Sequence, residues 1–262
     1  MILPVLLAAT LPTLFTGTDV AGYVKVPAPG VRYRMNMATA TSAPWVDSNL
    51  WRYQRDPNTN YLCEVKDKSV VTAVVEAFTM GVKLAVQITP QQKDDYEKVL
   101  AFLKTIPDGP TKEWTNFSVI DDGSAQAGEV MNLLWRRSIG YRIAASGDYT
   151  LSARMTNAYE AMQEIREKLG DHNRVLRIFG SELTLARALR EGSRVRLHLV
   201  NYGTRSVDHL RIRLEGRFRE RDIASYLYGD VTPKLVDFEY GKDFTEFTLT
   251  ALGPYGVLDL KQ

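Results

Sequence analysis

The chain has one cysteine, Cys63, among 262 residues, so it carries no internal disulfide framework and no multi-thiolate metal site. Histidine is nearly as scarce. His172, His198 and His209 stand apart, without the spacing of two ligands on one zinc ion. No metal and no cofactor are expected. Neither sign of charge dominates: 33 Lys and Arg against 31 Asp and Glu leave a formal +2. That balance gives no reason to expect nucleic acid or an anionic membrane as partner. A phosphate-cradling glycine loop, a Gly-x-Ser-x-Gly elbow, internal repeats and low-complexity tracts are all missing. Long apolar runs are missing too, apart from MILPVLLAATLPTLFT at the start, which is short and twice interrupted by proline. It cannot span a bilayer, and no integral membrane span is expected. No Lys or Arg precedes Lys25, so a basic n-region is lacking. The segment reads as the core of a secretory signal, as a buried strand, or as the cut end of a longer chain. Secretion or a periplasmic location is the expectation, with the cytoplasm as alternative.

What is present is an ordinary globular composition, 45% apolar and 24% charged, enough for one large or two modest domains. The most readable stretch is Phe117 to Ser146, FSVIDDGSAQAGEVMNLLWRRSIGYRIAAS. Phe117, Val119 and Ile120 form the short apolar run of a buried parallel strand. Asp121-Asp122-Gly123-Ser124 breaks it, with Ser124 as N-cap. The period then turns helical through Val130, Met131, Leu133 and Leu134, Gly140 stops the helix, and Tyr141–Ala144 is extended again. In open α/β sheets the crevice lies beyond the carboxyl ends of the strands, where Asp121 and Asp122 fall.

The flanking sequence repeats this grammar. Val31–Thr41 reads as a strand running into a loop, SAPWVDSNLWRYQRDPNTN. Ser69 can cap a helix that Gly81 ends, Lys83–Ile88 is a buried strand, and Thr89-Pro90 opens a helix burying Tyr96, Val99, Leu100 and Leu103. Asn157 caps a further helix, and Arg174–Phe179 is one more strand. After Ser181 the period becomes two. Val195, Leu197 and Leu199 alternate with Arg194, Arg196 and His198, and Leu210, Ile212 and Leu214 with Arg211 and Arg213. This pattern predicts an antiparallel sheet or small sandwich whose arginines, and His198, face water. The expected domains are therefore 1–181, α/β, and 182–262, β.

FSVIDDGSAQAGEVMNLLWRRSIGYRIA resembles the opening strand, helix and strand of a class I glutamine-amidotransferase-like domain. RVRLHLVNYGTRSVDHLRIRLEG resembles the β-sandwich that follows such a domain in bacterial beta-galactosidase-type glycoside hydrolases, where an "hLxNY" strand is common. The resemblance covers roughly residues 82–262. It implies a flavodoxin-like parallel sheet with helices on both faces and an appended antiparallel sandwich. In those enzymes the domain is non-catalytic and serves association between subunits, so a homo-oligomer is a further expectation. An amidotransferase also needs a nucleophilic cysteine on a tight turn between glycines. Cys63, in NYLCEV, has none and precedes the repeat, so no amidotransferase residue carries over.

Two places could carry chemistry. Trp45, Asp47, Asn49, Trp51, Arg52 and Tyr53 fall within nine residues, a cluster that suits a saccharide or other small polar ligand. Trp45, Asn49, Trp51 and Arg52 are the expected binding residues; the alternative is a structural lid at the domain junction. Carboxylates for acid–base work would come from Asp47, Glu76, Asp121 and Asp122. Against that, Asp121 and Asp122 also fit loop and cap roles, and Glu76 fits an exposed helix position; were it buried, its pKa would rise. The expected function is a carbohydrate-associated, non-catalytic or degenerate glycoside-hydrolase-like protein. The alternatives are an active glycosidase and a structural oligomerisation module.

Overall fold

The computed structural model describes residues 10–36, 41–65, 69–155, 157–229, 232 and 234–262. Two short strands, β1 (Thr13–Leu14) and β2 (Val24–Val26), precede an antiparallel hairpin of β3 (Gly30–Asn36) and β4 (Thr41–Asp47). Then come helix α1 (Leu50–Arg55), strand β5 (Asn60–Glu64), helix α2 (Val70–Met80), strand β6 (Lys83–Gln87) and helix α3 (Lys93–Leu103). β5 and β6 pair in parallel at the centre of a four-stranded sheet, with β1 beside β6 and β2 beside β5. Of the apolar N-terminal run, residues 1–9 lie outside the described residues. Among those described, no helix is long and apolar enough to cross a membrane.

α2 is apolar on every side, and such a helix belongs in an interior. Val70, Val74, Val75, Ala77 and Phe78 are all buried, and Gly81 ends the helix at φ 69°. No polar side remains for Glu76, so the expected exposed position does not exist. Thr89 opens the next segment through a capping box in which its N–H donates to Gln92 Oε1 at 2.7 Å.

The central unit forms as its residues require. β7 (Ser118–Asp121) leads through Ser124, whose Oγ accepts from the Ala127 N–H at 3.2 Å, into α4 (Ala125–Arg136). β8 (Arg142–Ile143) lies parallel to β7. The helix stops before Gly140, with Ser138 at φ 49°. A strand not foreseen, β9 (Tyr149–Leu151), pairs in parallel with the other side of β7, giving a second parallel sheet in the order β8-β7-β9. α5 (Ala158–Leu169) follows, with Asn157 Oδ1 accepting from the N–H groups of Tyr159 and Glu160 at 3.0 and 3.3 Å.

The rest is antiparallel: β10 (Leu176–Phe179), β11 (Thr184–Glu191), β12 (Arg194–Asn201), β13 (Val207–Glu215), β14 (Ile223–Tyr228), β15 (Leu235–Tyr240), β16 (Phe244–Leu252) and β17 (Tyr255–Lys261). They make two four-stranded sheets, β10-β13-β16-β15 and β11-β12-β17-β14. Leu197, Leu199 and Leu258 of one sheet and Ile212, Phe247 and Leu249 of the other share one apolar cluster. The architecture is thus mixed α/β, with parallel and antiparallel sheets.

The opposite face of β12 and β17 is also covered. Val200, Tyr255 and Val257 belong to the same apolar cluster as α2 and α3, and Phe78 meets the rings of both His198 and Tyr255 edge-on. This overturns the expectation of a wet face for Arg196 and His198, while Arg194 is exposed and Arg211 and Arg213 are half-buried. His198 is 3% exposed, its Nδ1 lies 2.6 Å from the Tyr255 hydroxyl, and burial holds its pKa well below the usual imidazole value. Arg196 is buried with both ends of its fork on Asp259 at 2.6 Å and one nitrogen donating to Pro107 O at 2.7 Å. Arg187 donates to Glu113 at 2.8 Å and to the Thr79 carbonyl. A sheet covered on both sides alternates between two buried environments, one apolar and one of paired polar groups.

Candidate functional site

The tryptophan-rich segment is a strand and a helix, not the loop its prolines and polar residues suggest. β4 pairs with β3 so that Trp45 lies opposite Arg32 and Asp47 opposite Gly30. Alternation along β4 sends Val46 into the core and Trp45 and Asp47 to the other side. The chain turns at Ser48 and Asn49 into α1, which delivers Trp51 and Arg52 to the same side. Trp45, Asp47, Trp51 and Arg52 line one open cleft of about 1140 Å³. α4 contributes Glu129, Asn132 and Arg136 to it, α5 contributes Tyr159 and Arg166, and β10 contributes Arg177 and Phe179.

The tryptophans are held by arginines of α4 and α1. Arg136 Cζ sits 4.1 Å from the centre of the Trp45 ring, and Arg52 Cζ 4.4 Å from that of Trp51. The Trp51 ring lies against α4 at Gly128, where a Cβ would stand 2.6 Å from a ring carbon. Any side chain at 128 would displace the ring, so this glycine makes the seat.

Asn49, expected at the ligand, is 1% exposed and faces inward. Its Nδ2 donates to Pro27 O at 2.9 Å, its N–H to Glu76 at 3.2 Å, and its Oδ1 accepts from Arg52 Nη1 at 3.1 Å. It positions Arg52 and does not line the cleft. Glu76 lies beneath it, 0% exposed, accepting from the Tyr202 hydroxyl at 2.5 Å. Burial pushes its carboxyl up to about 8, and the bonds from Tyr202 and Asn49 oppose the rise. At neutral pH it is a protonated acid sealed inside the fold.

The acidic pair at the end of β7 is committed elsewhere. Asp121, its side chain 6% exposed, accepts from Arg55 Nε at 2.7 Å and Nη2 at 2.9 Å, and from the Gly123 N–H at 3.0 Å. Asp122 accepts from the N–H groups of Ser124 at 2.9 Å and Ala153 at 2.8 Å, and bonds from Ser124 and Ala153 hold its carboxyl below the usual range. α1 therefore does reach the end of β7, but through Arg55 closing on Asp121. Of the four carboxylates singled out in the sequence, Asp47 alone lines the cleft, paired with Arg32 at 2.5 Å. Among the described residues no cluster of three or more His, Cys, Asp or Glu is placed to hold a metal ion. The wall that sequence reasoning missed is α4, whose Arg136 and Gly128 carry no motif that would single them out.

No protein-family model and no curated protein matches this chain. Among solved structures it is similar to alpha-L-fucosidase isoenzyme 2 from Paenibacillus thiaminolyticus, at 13% identity and TM-score 0.30, over 76% of this chain and 40% of that one. It is also similar to an alpha-amylase from H. orenii, at 9% identity and TM-score 0.22, over 81% and 56% of the two chains. A third is the noncanonic maltogenic alpha-amylase AmyB from Thermotoga neapolitana, at 11% identity and TM-score 0.20, over 81% and 58%. The chain spans less than two thirds of the length of each. These likenesses assign neither a family nor a reaction.

Proposed function

We propose that this protein binds a saccharide in the cleft formed by β4, α1 and α4, and does not hydrolyse it. One observation carries the reading: Trp45, Asp47, Trp51 and Arg52 come together on one open cleft. Indole faces stack on the C–H faces of sugar rings, and a carboxylate and a guanidinium bridge hydroxyl groups. Glycoside hydrolysis needs two carboxyl groups about 5–9 Å apart across the scissile bond. Glu76, Asp121 and Asp122 are engaged outside the cleft lining, which leaves Asp47 without its expected partners. The other carboxylates of the cleft are Glu129, Asp171 and Glu182, with Asp171 held by Arg174 and Arg177, and the aryl-glycoside panel below tests whether any of them serves Asp47 as a partner.

We read the architecture as an amidotransferase-like α/β unit carrying an antiparallel sandwich. Support comes from the helix between the parallel strands β5 and β6, from the helix between the parallel strands β7 and β8, and from the core shared by the two antiparallel sheets. The test is a glycan array with thermal-shift follow-up on wild type and Trp45→Ala, alongside an aryl-glycoside panel. Binding is expected in wild type and lost in the variant, with no aglycone released. Absence of any glycan ligand would sink the binding reading, and turnover of any glycoside would sink its non-catalytic part. Light scattering decides the rival idea of an oligomerisation module, which a monomer would exclude.

A further inference from the structure

We propose that the saccharide taken by this cleft is anionic, bearing carboxylate or sulfate groups that arginine side chains grip. The inference rests on the saccharide-binding reading above and adds the charge class of the ligand. The chain has 12 lysines and 21 arginines, yet every cation lining the cleft is an arginine. Seven arginines face four carboxylates there, in a chain whose formal charge is only +2. A guanidinium offers a planar fork that matches a carboxylate or sulfate with two parallel hydrogen bonds, which an ammonium cannot do.

The local excess is not cancelled inside the cleft. Asp171 is taken by Arg174 at 3.6 Å and Arg177 at 3.2 Å, and Asp47 by Arg32 at 2.5 Å. Among the described residues, Arg34, Arg52, Arg136, Arg137 and Arg166 form no ion pair. Arg52 is fixed by neutral acceptors, Ser48 O at 3.3 Å and Asn49 Oδ1 at 3.1 Å, which aim the fork without neutralising it. Arg136 is stacked on Trp45, and its Nε is buried without a hydrogen-bond partner. Burial holds its pKa below the usual guanidinium value, and Glu129 and Asp47, beyond ion-pair range, only partly oppose that. An anion arriving beside Trp45 would supply the partner this guanidinium lacks. The ring-and-arginine pairing favours a sugar acid, whose ring can stack while its charged group is held.

The probes are an oligogalacturonate, its methyl ester, a sulfated glucan oligosaccharide, the neutral glucan and a single-stranded RNA homopolymer. Each is titrated calorimetrically into the full chain at two salt concentrations. The expected result is affinity for the galacturonate or the sulfated glucan about tenfold or more above the uncharged counterpart, falling as salt rises. Which acidic probe binds tells carboxylate from sulfate. Arg136→Gln should lose most of that preference and Arg136→Lys part of it. Arg166→Gln and Arg34→Gln, on α5 and on β3, should each weaken the acidic probe alone, and they carry the test if the Arg136 variants do not fold. Equal affinity for charged and neutral glycans overturns this inference and leaves saccharide binding standing. RNA binding as tight as the acidic glycans overturns it as well. Failure of every glycan overturns the underlying reading instead.

Discussion

Glu76→Gln probes how the interior tolerates one ionisable group. In the folded protein the Glu76 carboxyl titrates at about 8, chiefly because burial disfavours its charge. In the unfolded chain it titrates at about 4.3. Below that value both states hold the proton, and the favourable contribution of the protonated acid is fully present. As pH rises from there towards 8, the unfolded chain releases the proton while the folded chain keeps it, so stability falls. Above the folded value both states are ionised and the loss levels off. The window spans between three and four pH units, and at about 1.4 kcal/mol per unit the total is about 5 kcal/mol. That is a large part of the roughly 5–15 kcal/mol that holds a typical domain together. Glutamine has the same shape and no proton to lose. Its carbonyl can keep accepting from the Tyr202 hydroxyl and the Asn49 N–H, as the acid does. The assay is urea unfolding of both proteins at intervals from pH 5 to 9, read as the difference between them, so that all other titrating groups cancel. The variant should gain on wild type by about 1.4 kcal/mol per pH unit up to about pH 8. A constant offset from imperfect amide geometry leaves that slope untouched. A difference that stays flat across the range would refute the buried, protonated Glu76.

Two further substitutions separate structural from binding roles. Gly128→Ala drives a Cβ to 2.6 Å from the Trp51 ring, so the indole must leave its seat on α4. Helix propensity alone would stabilise the alanine variant by about 1 kcal/mol. A net loss of about 1–3 kcal/mol with a shifted tryptophan emission is expected, and a stabilised variant with unchanged emission would show that the ring is not wedged there. Asp121→Asn strips Arg55 of its bidentate partner in a nearly dry site, and removing one member of such a pair costs about 3–5 kcal/mol. Glycan affinity measured below the unfolding transition should not change. An affinity loss at full stability would return Asp121 to the binding site.

The pattern of successes and failures in reading this chain follows the range of the forces involved. α2, β6 and the β7–α4–β8 unit were legible because their signals are local: apolar period, a serine or asparagine cap, a glycine stop. Ser124 and Asn157 make the cap bonds their positions predict. β4 was not legible. Ser42, Pro44 and Asp47 argue against a strand, and only pairing with β3 overrides them. His198 and Arg196 were misread because alternation tells that a strand has two faces, never that the second is dry. Glu76 failed for a related reason, since one acid among valines looks like the polar stripe of a helix until a second layer covers it.

The cleft shows the same division within a few ångströms. Its first wall, from Trp45 to Arg52, is contiguous in sequence and could be picked out by eye. Its second wall belongs to α4, and the residue that joins the two is a glycine. In the middle of a helix glycine is unfavourable by about 1 kcal/mol relative to alanine, so a helix that keeps one needs a reason. Here the reason is the approach of an indole that no other residue would admit. Weighed that way, Gly128 was the sign in the sequence that something large rests on α4, and the ring that rests there is Trp51 of the Trp45–Arg52 segment. The arginines beyond it had no such sign, because a guanidinium left without a carboxylate looks, in one dimension, the same as one that has found its partner.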